Sequence, residues 1–427
     1  MSCPRPEARA SQRTAGLVLC TLVPALVAGA CAGPTAAEAP PPDAGPAAVR
    51  VLDTPTTTGS TAYALAAGAD GAAYLAWIEP VTNAGYALRF SRLENGAWSA
   101  ARDIARGDDW FVNWADHASL TALPDGTLLA HWLVNTGRKE GAYGYGIRVA
   151  RSSDRGDTWS TVFEDGMDNV SDYAGFLTFL PGASGAEAVY LKPLTPDDGT
   201  AAHGEEEHTK TLAAVSFAAD GTPSDQQVVD DDVCSCCTTD MAVTADGLVA
   251  VYRDHLPGEI RDISIVRRVD GAWSAPARVA EDGWMIPGCP TNGPVVAARG
   301  QRVAVAWFTA AGDTPRVKLA LSQDAGRTFA APIVVDDGNP VGWPDLVMQD
   351  DGRVLVSWLE RRGEGVGEVL VRRVSADGVP ATPLVVAASV SGRATGIPHM
   401  IAAGETVIVA WRNERVLSAA VPLRAIP

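Results

Sequence analysis

Seven times along this chain a short apolar strand runs into an aromatic residue: YLAW ending at Trp77, LAHW at Trp132, AVY at Tyr190, AVY at Tyr252, AVAW at Trp307, LVSW at Trp358 and IVAW at Trp411. A shorter strand and a glycine turn come before it, as in ALPDGTLLAHW, VTADGLVAVY, AARGQRVAVAW and MQDDGRVLVSW. Two more alternating stretches follow in every unit but the last, so the repeat is four strands over about 50 to 66 residues. Strands this short cannot make a core alone. A repeat of this kind becomes stable only when successive sheets cover one another.

Radial repetition provides that cover, so the expected fold is all-β: a β-propeller of four-stranded antiparallel blades over residues 49–427. The last unit, GIPHMIAAGETVIVAWRNERVLSAAVPL, has only three strands, while AAVRVLD at 47–53 is a spare strand near the other terminus. Joining the two closes a ring of seven blades. Six blades, with one unit serving as a cap, is the alternative. A chain of 427 residues with 42 Gly and 29 Pro suits such a turn-rich fold.

The net charge of −17 argues against nucleic acid as a partner, because an acidic surface repels the phosphate backbone. Arg5, Arg9 and Arg13 precede the apolar run AGLVLCTLVPALVAGA and then Cys31, a pattern that predicts an export signal over residues 1–30. AGAC at 28–31 resembles the lipid-attachment box of bacterial lipoproteins. The resemblance implies lipidation at Cys31 and anchoring in the cell envelope, facing the periplasm or the cell surface; ordinary cleavage with Cys31 incidental is the other reading. AGPTAAEAPPPDAGPAA lacks an apolar period and reads as an extended tether over 31–48. No later stretch reaches the roughly 18 apolar residues of a membrane-spanning helix, and the expected mature protein is a monomer.

Two hairpins carry a second signature: SSDRGDTW, Ser152 to Trp159, and SQDAGRTF, Ser322 to Phe329. Both read Ser-x-Asp-x-Gly-x-Thr-aromatic, and in this they resemble the Asp-box, or BNR repeat, of the sialidase superfamily. Ser152, Asp154, Gly156 and Trp159, with Ser322, Asp324, Gly326 and Phe329, have structural roles in that motif: polar side chains bond turn backbone, glycine allows the tight geometry and the aromatic packs between sheets. SRLENGAW, ending at Trp98, and VRRVDGAW, ending at Trp273, look like worn versions. The resemblance covers the chain from about residue 50 to its end.

It implies an exo-sialidase site of three arginines, a Tyr–Glu nucleophile and an acidic acid/base group, but the catalytic motif is not matched. In DHASLTALPDGTLLAHW, Asp116 stands where the first arginine belongs and Ala118 where its proline belongs; in TGIPHM, Gly396 precedes the Ile-Pro pair. Tyr252, Arg253, Glu259 and Arg261 in YRDHLPGEIRDI, with Arg393 and Arg412 elsewhere, are the remaining catalytic candidates. Tyr252 also fills the repeating aromatic slot. The expected function is therefore binding of a ligand or soft metal without hydrolysis, with a glycoside hydrolase of exo-sialidase type acting on acidic sugars as one alternative and a structural or protein-interaction propeller with disulfide-bonded cysteines as a second.

The segment DDVCSCCTTD places Cys234, Cys236 and Cys237 at one blade crossing, and EDGWMIPGCPTNGP places Cys289 at the next. Both crossings belong to the face opposite the Asp-box turns, where propellers usually bind ligands. Three readings stand: disulfides, expected of an exported chain; soft-metal binding, Cu(I) or Zn(II), with His203 or His208 from a neighbouring loop as further ligands; and thiol exchange. On the same face Trp110, Trp114, Asp116, His117 and Trp284 are candidates to wall a pocket for a small ligand or a glycan, with Asp116 orienting His117. Packing beneath the loops is the simpler account of the tryptophans.

Overall fold

The structure, a computed structural model, describes residues 49–427 except 83–84, 137–143, 168–172 and 194–209. Cys31, the expected signal and the tether lie outside the described residues, as do His203 and His208. The strands form seven antiparallel sheets of four or five strands each. Blade 1 begins with Thr61–Ala67 as its inner strand, followed by Ala73–Pro80 and Tyr86–Glu94. The inner strands of blades 2 to 7 are Ser119–Ala122, Gly175–Gly182, Asp240–Thr244, Val295–Arg299, Pro340–Met348 and His399–Ala403. The ring has seven blades, as the repeat predicts, and the six-blade alternative falls.

Closure joins the two ends of the repeat. Arg50–Leu52 adds to the outer edge of Val416–Pro422 in blade 7, with Arg50 opposite Ala420 and Leu52 opposite Ser418. The hydroxyls of Thr54 and Thr56 both donate to the Val416 carbonyl at 2.7 Å, and Arg415 donates to the Thr54 carbonyl. Sequence-distant chain thus completes the three-stranded last unit.

The repeating aromatics fill the second strand of each blade, and most are capped by an acid. Trp77 donates from Nε1 to Glu79 at 2.8 Å, Trp307 to Asp282 at 2.7 Å and Trp358 to Glu360 at 2.6 Å. Tyr190 donates to Asp165 at 2.6 Å and Tyr252 to Asp230. All five are buried, where an unpaired indole or phenol donor would be costly. The aliphatic faces then close between sheets: Leu129, Ile147 and Val149 of blade 2 meet Ala188, Tyr190 and Phe217 of blade 3.

Both Ser-x-Asp-x-Gly-x-Thr turns have one hydrogen-bond pattern. The Gly156 N–H donates to Ser152 Oγ at 2.7 Å, Ser152 Oγ donates to Asp154, and both the N–H and the hydroxyl of Thr158 donate to Asp154. Residues 322–328 repeat the arrangement. Gly156 has a φ of +91°, and a Cβ there would lie 2.4 Å from the Phe90 ring, so this turn docks on blade 1 only as glycine. The hairpins before Trp98 and Trp273 differ: Asn95–Gly96 and Asp270–Gly271 have positive φ throughout, as two-residue type I′ turns require. They are tight hairpins of another kind.

Candidate functional site

Cys234, Cys236 and Cys237 lie in the crossing from Gln227–Val233 of blade 3 to Asp240–Thr244 of blade 4. Cys289 lies in the crossing from blade 4 to Val295–Arg299 of blade 5. The fold brings the four together. Cys236 and Cys289 are disulfide-bonded with Cα atoms 5.9 Å apart, and the Cys234 and Cys237 sulfurs are 3.1 Å apart. The Sγ atoms of Cys234, Cys236 and Cys237 all lie within 4.8 Å of one another. These three are buried, whereas Cys289 is exposed.

Backbone contacts hold the trio. The Cys234 N–H donates to the Arg253 carbonyl at 3.1 Å, and the Tyr173 hydroxyl donates to the Ser235 carbonyl. Where the two crossings meet, Gly293 is pressed on Thr238, whose carbonyl would be 2.0 Å from an added Cβ. Burial opposes ionisation of Cys237, but the Cys234 thiol, the Arg253 charge and the backbone N–H groups of Asn292 and Thr291 outweigh it and hold this thiol below its ordinary value. The hydrogen bond to Cys237 and burial push Cys234 well up. Ionisation is therefore easier at Cys237 than at Cys234.

Arg253 is a strut of this wall. It is 1% exposed, donates to the carbonyls of Asn292 at 2.8 Å, Phe308 at 2.7 Å and Arg261, and stacks 4.8 Å from the Trp284 ring centroid. Arg261 is buried, and its Nη2 donates to Glu259 at 2.9 Å. Glu259 also sits 3.4 Å from His255. The Arg393 guanidinium lies over Trp114, and Arg412 donates to the carbonyls of Ser60 and Ala394. Tyr252 bonds Asp230 inside its own blade. None of these six candidates lines the cavity at the axis.

At the axis, beside the cysteines, is a cavity of about 380 Å³. Asp116, Asp240 and Asp345 line it with His117, His399 and Trp343; no arginine or lysine lines it among the described residues. Each aspartate receives the backbone N–H of the next blade's inner strand: Asp116 from Phe176 at 2.8 Å, Asp240 from Val296 at 2.8 Å and Asp345 from Met400 at 2.7 Å. Burial pushes all three up to about 7, against the hydrogen bonds they accept, and Asp345 is raised further by Asp240. Burial also lowers His117 and His399, whose ring centroids are 4.8 Å apart.

Of the expected pocket residues, Asp116 and His117 line this cavity. Asp116 does not orient His117: its carboxylate bonds Tyr145 and Phe176, while His117 Nδ1 contacts the Ala115 carbonyl at 3.1 Å. Trp114 lies edge-on to Trp343 at 5.3 Å, next to the cavity. Trp110 packs against Trp132 and Trp284 against Phe308, both in the interior. Sequence reasoning missed Asp240, Asp345, His399 and Trp343. A signal existed, since Asp240 in DMAV and Asp345 in DLVM both precede apolar inner-strand residues in alternate units.

A carboxyl raised in the folded state binds its proton more tightly there, so the stability it contributes is present below about pH 4 and lost as pH rises through about 7. Asp345→Asn is expected to leave stability near wild type at about pH 4 and to exceed wild type by on the order of 2 kcal/mol at about pH 8. Urea melts across that range check it; a difference independent of pH would show that Asp345 does not carry the effect.

No family model matches the chain, and no curated protein is similar to it in sequence. Among solved structures, a polysaccharide lyase of family 25, an ulvan lyase bound to a GlcA–Rha3S unit, aligns with a TM-score of 0.51 at 10% identity, over 89% of this chain and 98% of that one. A protein of unknown function from Dyadobacter fermentans aligns with a TM-score of 0.48 at 17% identity, over 88% and 98%. A Hadza microbial sialidase aligns with a TM-score of 0.44 at 14% identity, over 86% and 66%. At such identities the likeness is one of fold: this chain is built as a seven-bladed β-propeller.

Proposed function

We propose that this propeller is an exported protein, lipid-anchored through Cys31 in the cell envelope, that binds a soft metal ion, Cu(I) or Zn(II), through Cys234, Cys236 and Cys237. The observation that carries the reading is the convergence of three buried sulfurs within 4.8 Å. Thiolates are the preferred ligands of these ions. Hydrolysis of sialosides is not part of the reading. Among the described residues the cavity is lined by three carboxyl groups and by neither arginine nor lysine, so the ion-pair partners that a sialate carboxylate takes in the sialidase superfamily are not seen there.

The test is metal content of thiol-reduced protein. Reduced wild type is expected to hold about one Zn(II) or Cu(I) per chain, and Cys234→Ser, Cys236→Ser and Cys237→Ser each to lose at least tenfold in affinity, since every one removes a thiolate ligand. A reduced protein that binds neither ion defeats the reading. The 3.1 Å approach of Cys234 to Cys237 favours a second one, a clamp of two disulfides. Its signature is a denatured, unreduced chain with no free thiol at any of the four positions.

A further inference from the structure

We infer that the Cys236–Cys289 bridge is a redox gate on the thiolate metal site: closed while the bridge stands, open once an external thiol reduces it. The inference rests on the soft-metal reading and adds its regulation. Its basis is that Cys236 belongs to two constellations at once. It is bonded to Cys289, and its sulfur lies within 4.8 Å of those of Cys234 and Cys237. A sulfur in a disulfide has no thiolate to offer a cation, so bridge and metal compete for one atom.

Access is asymmetric. Cys289 is exposed, while Cys236 is 9% exposed and packs with Cys234, Cys237 and Phe176. An incoming thiolate reaches the Cys289 sulfur first. It forms a mixed disulfide there, and the Cys236–Cys289 bond breaks with its electron pair leaving on Cys236. A second thiol then attacks the mixed disulfide at the incoming sulfur, releasing Cys289 as a thiolate and the reductant as its own disulfide. Two electrons pass from the two thiols to the bridge. Cys236 is left as a thiolate beside Cys234 and Cys237.

The loop that carries Cys289 is pinned on both sides, so opening the bridge does not carry it away. The Ile286 N–H donates to the Glu259 carbonyl at 2.9 Å, and Gly283 and Trp284 donate to Asp262. Beyond Cys289, Asn292 accepts from the Trp343 N–H at 2.6 Å and donates to the Val341 carbonyl. Cys289 therefore stays within reach as a fourth ligand.

The experiment titrates Zn(II) alone, against a chromophoric chelator in oxygen-free buffer, into three samples: oxidised wild type with the bridge verified by mass spectrometry, wild type reduced with a phosphine that is then removed, and unreduced Cys289→Ser. The gate predicts no binding to the first and one Zn(II) per chain for the other two, an affinity contrast of at least a hundredfold. Equal binding by oxidised and reduced wild type overturns the gate and leaves the metal reading standing. No binding by any sample overturns the metal reading itself. The wild-type pair needs no substitution, so the outcome stands even if Cys289→Ser folds poorly.

Discussion

Arg253→Met is expected to lower stability by about 3 to 5 kcal/mol, the scale for breaking a buried charged hydrogen-bond network. The guanidinium reaches three main-chain carbonyls, those of Asn292, Phe308 and Arg261, from two blades and the crossing between them. Methionine fills the volume but supplies no donor. Those carbonyls then lie buried without this partner, and the contact with Trp284 is lost. Arg253→Lys is expected to recover only part of the loss, because a compact ammonium cannot reach three separate acceptors as the planar guanidinium fork does. Denaturant melts read the loss, and a cost below about 1 kcal/mol would refute the strut. A second readout is local: removing the Arg253 charge is expected to move thiol alkylation at Cys237 to higher pH.

Starting the chain at Thr57 instead of Ala47 is expected to cost about 3 kcal/mol and to make the protein self-associate. The removed segment buries Leu52 to 4% exposure, a term of about 2 kcal/mol. It also caps the Val416 carbonyl twice and pairs with Ser418 and Ala420. Without it, Val416–Pro422 becomes a free edge, the usual route to strand-to-strand association. Size-exclusion chromatography with thermal melts would show both effects. A shortened chain that stays monomeric with an unchanged melt would mean that the seventh sheet does not need its fourth strand.

The seven blades and their closure were legible because the aromatic slot repeats at a fixed place in every unit and the last unit is one strand short. The meeting of Cys289 with the trio was legible too, since the crossings of adjacent blades share a face. The cavity wall was not. Asp240 and Asp345 look like ordinary strand-leading acids until the ring places them around one axis, and His399 lies more than 280 positions from its neighbour His117. Trp110 and Trp284 can be read either way, and the simpler account, packing beneath the loops, is the one the structure shows. A large aromatic in a loop sequence suggests a binding wall, but these loops fold back over the blades, and the rings pack on Trp132 and Phe308. Arg253 reads as a catalytic candidate, and its burial depends on carbonyl positions that no residue pattern displays.

The aspartates of blades 2, 4 and 6 each grip the blade that follows, which groups the ring as 2 with 3, 4 with 5 and 6 with 7. An odd ring cannot be tiled by couples. Blade 1 is the remainder: it can separate from both neighbours without breaking any of these three bonds, and one of those neighbours is the blade that the N-terminal strand completes. These three bonds alone leave four of the seven seams unbridged, and other contacts hold those: Trp98 of blade 1 donates to Ser418 of blade 7 at 2.8 Å, and Thr178 of blade 3 to the Thr239 carbonyl at the entry to blade 4 at 2.7 Å.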